Sequence, residues 1–158
     1  MSILILATGP TQEKYLKTGM DHYMKRLKNY KPRVDYKEIK IPSKIYSYKD
    51  INEIKKAEAD ILLSHINDSD YLTLLDERGK TYTSTDFANY ISSILIRGYK
   101  RWVFLIGGPF GFDQLLYNRA NSQIALSEMT FTHQMIRLLL LEQIYRAQTI
   151  LHNQSYHH

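Results

Sequence analysis

Apolar positions along the chain alternate between two patterns. Ser2–Thr8, the centre of Tyr71–Asp76 and Trp102–Ile106 are continuous apolar runs, and other stretches show helical spacing. Short continuous runs are strands buried on both faces, the pattern of a parallel sheet covered by helices. Arg33–Ile41 alternates instead and ends at Pro42, which predicts a strand near a sheet edge. Helical spacing predicts helices over Gln12–Lys28, Asp50–Asn67 and from Ser84 to Arg97-Gly98. A short helix is predicted over Phe110–Ala120, a fifth strand over Ile124–Leu126 and a long helix over His133–Leu151. Strands and helices in alternation predict one α/β domain over residues 1–158, a mostly parallel sheet flanked by helices.

Two features stand out against this frame. The run Trp102-Val103-Phe104-Leu105-Ile106 stops at Gly107-Gly108-Pro109-Phe110-Gly111. A ligand meets an open parallel sheet at the carboxyl ends of its strands, and glycine lets backbone approach it closely. The last helix is apolar almost all round: Met135, Ile136, Leu138, Leu139, Leu140, Leu141, Ile144, Tyr145, Ala147, Ile150 and Leu151 nearly encircle it. Such a helix must be covered all round. A second subunit is one cover, which predicts a homodimer, and neighbouring elements of the same chain are the other.

Charge is uneven. Residues 1–56 hold 13 Lys or Arg against 6 Asp or Glu, and residues 57–158 hold 8 against 10. In the first helix region Lys14, Lys17, Lys25, Arg26, Lys28, Lys31 and Arg33 interleave with Tyr15, Tyr23 and Tyr30. Cations could bind nucleic-acid phosphates there and tyrosines could stack on bases; alternatively the tyrosines join the core and the lysines are simply solvated. The chain has no cysteine, which excludes disulfide and thiolate chemistry and fits a reducing cytoplasm. The first residues lack a basic leader, and no apolar run approaches a membrane span. At the start of the last helix His133 and Arg137 are four residues apart and share a face, as do Glu142 and Arg146.

Several stretches together resemble one family. These are Leu75-Asp76-Glu77-Arg78-Gly79-Lys80, Phe104 to Gly111, and Leu126-Ser127-Glu128-Met129-Thr130-Phe131-Thr132-His133-Gln134-Met135-Ile136-Arg137. Glu142-Gln143-Ile144-Tyr145-Arg146-Ala147 and the tail Tyr156-His157 follow at the spacing of that family. The chain is similar over its whole length to the RlmH family of SPOUT methyltransferases, which methylate N3 of pseudouridine 1915 in 23S ribosomal RNA of the assembled 70S ribosome. The resemblance implies a C-terminal trefoil knot, which ordinary topology rules would never suggest. It implies a homodimer whose active site draws on both subunits, and S-adenosylmethionine as cofactor. Leu75, Gly107, Leu126, Ser127, Glu128, Met129, Thr130 and Phe131 would line the cofactor pocket.

The chemistry implied needs no metal, because the sulfonium methyl is already activated. It needs the target nitrogen held in line with that methyl and relieved of its proton. His133, Arg137, Tyr156 and His157 are the candidates. The tail and His133 would contact the target nucleotide, and Arg137 would stabilise phosphate or developing negative charge. Thr132 stands where the family usually has proline, Ser155 replaces the proline before the tail tyrosine, and His158 stands where Lys or Arg usually follows. Those departures leave a second reading, a catalytically weak or inactive RNA- and ribosome-binding dimer of the same fold.

Overall fold

A computed structural model describes residues 1–157; the side chain of His157 and all of His158 lie outside that description. Five strands form one sheet: β1 (Ser2–Thr8), β2 (Arg33–Ile39), β3 (Tyr71–Lys80), β4 (Arg101–Ile106) and β5 (Ser122–Ile124). Their order is β2-β1-β4-β3-β5, and every pairing is parallel. The helices are α1 (Lys14–Leu27), α2 (Ile51–Leu63), α3 (Ser84–Ile96), α4 (Gln114–Arg119) and α5 (Met135–Leu151).

Alternate side chains of the central strands feed two separate cores. Ile3, Ile5, Trp102, Phe104 and Ile106 pack with Met20 and Leu27 of α1, Phe87 and Ile91 of α3, and Leu140, Leu141 and Ile144 of α5. Leu6, Leu72, Leu74, Val103 and Leu105 face the other way onto Ile54 and Leu62 of α2 and Leu116 of α4. A strand covered on both faces has no polar side to alternate with, which is why the runs are continuous. A polar thread crosses the first core: Trp102 Nε1 donates to Thr73 Oγ1 at 2.8 Å, Thr73 pairs with the Ser122 hydroxyl at 2.7 Å, and Tyr90 donates to Ser122 at 3.0 Å. These bonds tie β4, β3, β5 and α3 together while satisfying every buried donor in the thread.

The structure differs from the sequence expectations in several places, one being the fifth strand, expected over Ile124–Leu126 and found at Ser122–Ile124. The stretch 76–80, read as a polar turn, continues β3, and an irregularity in the β3–β5 register brings Lys80 opposite Ile124. Gly79 makes this possible, since a Cβ there would lie 2.5 Å from the Ile124 backbone nitrogen. The helix expected over Phe110–Ala120 is confined to α4, because an Asp113 cap on the Leu115 N–H sets its start. Helix α5 is enclosed by its own chain to a large extent: α1 and α3 flank it on the sheet, and none of its residues is fully exposed. Leu140, Leu141, Ile144 and Ala147 are buried by these neighbours, whereas Met135, Ile136, Leu138, Leu139, Tyr145, Ile150 and Leu151 stay only half-buried within the single chain.

Candidate active-site cleft

Three segments at the carboxyl ends of the sheet border one cleft of about 1120 Å³. They are the end of β3, the glycine loop after β4, and the segment from β5 to α5. This is where a parallel sheet exposes backbone polar groups. Seven of the eight residues expected around a cofactor line the cleft: Leu75, Gly107, Leu126, Ser127, Met129, Thr130 and Phe131. Glu128 is exposed and does not line it. Leu75, Ile106, Ile124 and Leu126 supply an apolar wall, and residues 107–108, 125–127 and 129–131 line the cleft beside it. The Met129 N–H is held by Ser127 Oγ at 2.9 Å, and Thr130 donates to Glu77 Oε2 at 3.0 Å, so the third loop is pinned to the end of β3. A flat aromatic base between apolar side chains, its edge read by backbone groups, fits this donor set.

His133 also lines the cleft. Burial, then the nearby Arg137 charge, holds its imidazole below the ordinary histidine pKa. It precedes α5 by two residues, so burial acts where a helix N-terminus was expected to act.

Arg137 is elsewhere. It was expected to face the substrate, yet it is fully buried and absent from the cleft lining. Its guanidinium donates to the carbonyls of Thr8 at 2.8 Å, Gly9 at 2.9 Å and His133 at 3.0 Å, and to Thr11 Oγ1 at 3.0 Å. Glu38 offers the opposite charge at 3.8 Å. Four acceptors converging at the end of β1 outweigh the cost of burying a cation, and they fix the start of α5 against that strand. Tyr156 is not in the cleft of its own chain either. Its hydroxyl lies 3.3 Å from both Tyr23 Oη and Glu142 Oε1, and its ring packs on Tyr145. Glu142 and Arg146 form the ion pair their spacing predicted, and Arg146 also lies under the Tyr156 ring. His157 lies outside the description of side chains.

Other groups at the cleft were given no role by the sequence reading. Asp76 accepts from the Tyr117 hydroxyl and from the Arg78 N–H at 2.8 Å. Burial alone would raise its carboxyl, but the hydrogen bonds from Tyr117 and Arg78 together hold it below the usual range. Behind the glycine loop Glu58 is buried and accepts from Tyr46 Oη at 2.6 Å. Burial pushes its carboxyl up, with the Tyr46 bond opposing. A Cβ on Gly108 would lie 3.1 Å from Glu58 Oε1, so glycine is what lets this acid sit under the loop.

Of the three tyrosines proposed to stack on bases, only Tyr15 is free, 61% exposed and on the cleft rim. Tyr23 and Tyr30 pack on Tyr145. The seven basic residues from Lys14 to Arg33 are all exposed. Among the described residues no helix is long and apolar enough to cross a membrane.

The chain matches the family model described as "Predicted SPOUT methyltransferase" over residues 1–157. It is 45% identical over 158 residues to a Cytophaga hutchinsonii protein named "Ribosomal RNA large subunit methyltransferase H", covering the whole of both chains. Proteins of the same name from Christiangramia forsetii and Parabacteroides distasonis are 43% and 41% identical, over all of this chain and 99% of theirs.

Proposed function

Because the chain belongs to the SPOUT methyltransferase family, we propose that it methylates ribosomal RNA of the large subunit, at N3 of pseudouridine 1915 in 23S RNA, with S-adenosylmethionine as donor. The observation that carries this reading is the convergence of Leu75, Gly107, the 126–131 loop and His133 on one cleft at the sheet's carboxyl end. S-adenosylmethionine, when bound, supplies a methyl group already activated by its sulfonium centre.

The protein's own task is then positional and electrostatic. The apolar wall of Leu75, Ile106 and Leu126 excludes water from one side of the cleft. His133, kept neutral at pH 7, presents an imidazole nitrogen as an acceptor for the N3 proton or for a hydrogen bond from the base. The exposed cations of α1 and its exit hold RNA phosphates, with Tyr15 at the rim as a stacking surface. Arg137 acts at one remove, by fixing the start of α5 and with it His133.

The reading includes a homodimer. Tyr156 is bound to α1 and α5 of its own chain and does not line the same chain's cleft, so a tail that contacts the target nucleotide serves a second protomer's site. The half-buried outer side of α5 is available to such a partner. The working compartment is the cytoplasm, where ribosomes are.

The test is methyl transfer from labelled S-adenosylmethionine to 70S ribosomes lacking this modification, beside ribosomes that also lack the pseudouridine. Label mainly in the first is the expected result. Cofactor binding without transfer to either would support the inactive ribosome-binding dimer instead, and absence of cofactor binding would overturn the assignment.

A further inference from the structure

Arg78 stands at the rim of the cleft and takes no part in the chemistry above. Its side chain is 72% exposed, yet it is held on two sides. Nη2 donates to the Tyr117 hydroxyl at 2.7 Å, and Nε approaches Asp76 Oδ1 at 3.4 Å. The guanidinium carbon also lies 5.4 Å from the centre of the Tyr117 ring. Asp76 comes from β3 and Tyr117 from α4, so two different elements hold the fork. An exposed arginine on a featureless surface would keep its rotamer freedom, worth about 2 kcal/mol.

The geometry leaves one edge of the group unused. A guanidinium has five N–H donors. The Asp76 and Tyr117 contacts engage Nε and Nη2, whereas Nη1 has no partner among the described residues. The open edge therefore presents parallel donors from Nη1 and Nη2, the arrangement that matches two oxygens of a carboxylate or phosphate. Asp76 pairs with the guanidinium on its Nε side and offers no acceptor to Nη1. The only other Lys or Arg lining the cleft, among the described residues, is Lys55.

We propose that Arg78 is the anion-recognition residue of the cleft: its outer edge binds a carboxylate or phosphate of a bound ligand, with Asp76 and Tyr117 as its positioning residues. The inference rests on the methyltransferase reading, which supplies two sources of that chemistry, the amino-acid carboxylate of the cofactor and a phosphate of the RNA.

The experiment measures, by calorimetry on the full chain, binding of S-adenosylhomocysteine and of its decarboxylated analogue to the parent, R78A, R78K and Y117F, with ribosome affinity measured across a salt series. R78A should lose at least about tenfold in affinity for one ligand, as expected for a charged hydrogen-bonded pair. R78K should recover only part of it, because an ammonium keeps the charge without the fork. A loss with S-adenosylhomocysteine and none with the decarboxylated analogue identifies the cofactor carboxylate, and Y117F should then show a smaller loss of the same selectivity. Unchanged cofactor binding with weaker ribosome binding and a salt slope reduced by about one identifies a phosphate. Affinities unchanged for both ligands overturn the proposal. A parent protein that binds neither ligand overturns the methyltransferase reading beneath it.

Discussion

Replacing Arg137 by methionine keeps the length of the side chain and removes every donor. The carbonyls of Thr8, Gly9 and His133 and the Thr11 hydroxyl would lose a charged partner, Thr8 and Thr11 at buried positions and Gly9 and His133 at half-buried ones. A buried acceptor left unsatisfied costs about 1–3 kcal/mol, the full penalty for Thr8 and a smaller one for the half-buried Gly9 and His133, so the three carbonyls represent about 3–6 kcal/mol. The folded state no longer has to desolvate a cation, which offsets part of this. Glu38 is partly exposed and can be rehydrated, so it adds little. A net loss of about 3 kcal/mol follows, equivalent to about 6–12 °C in Tm for a chain of this size. The assay is thermal melting at one fixed protein concentration, followed by fluorescence of Trp102, the single tryptophan and fully buried. Arg137→Lys should recover part of the loss. A melting temperature within about 2 °C of the parent, together with lost methyl transfer, would refute this reasoning and return Arg137 to the substrate.

Gly79→Ala places a Cβ 2.5 Å from the Ile124 nitrogen and 2.6 Å from its carbonyl carbon, contacts that only backbone movement relieves. Separation of β5 from β3 should lower both Tm and affinity for S-adenosylhomocysteine, and unchanged values in both would contradict the register described. His133 has a folded-state pKa below its unfolded value of about 6.5, so the unfolded chain binds more protons as the pH falls below that value. Its contribution to stability is present above pH ~6.5 and lost as the pH falls toward the folded pKa. Urea titrations from pH 7.5 to 5 should show a stability decline that is shallower in His133→Asn, and superimposable profiles would place the imidazole in water.

The parts of this fold that the sequence displays are those where burial is two-sided and local. The runs 2–8 and 102–106 have no polar position to confuse their pattern, and Asp50 and Thr83 cap their helices within three residues of chain. The end of β3 is hidden because its pairing with Ile124 depends on a residue 44 positions away, while its side chains read as a turn. Arg137 was misplaced for a related reason. Arginine at a helix start reads as surface, and only the folded chain reveals that three carbonyls from the end of β1 and the turn before α5 converge on it. The cleft residues that carry a family motif, Asp76 and Arg78 among them, are legible as a set, but the grouping of those two with Tyr117 forms only across a 41-residue separation.

The strand order has a consequence for the chain as it is being made. β1 is synthesised first, yet one of its two neighbours is β4, whose partner for Ser2 is Arg101 and for Ala7 is Ile106. At about 5–20 residues per second, the roughly 100 residues between them take about 5–20 s to emerge. For that interval Ile3, Ile5 and Leu6 can pair with β2 alone, and both sides of that two-stranded ribbon lack α5 and most of the sheet. The nascent amino-terminal segment is thus a partly paired parallel β–α–β unit with uncovered apolar side chains for seconds, and synonymous codon changes that slow translation between β2 and β4 should raise the fraction of chains that aggregate.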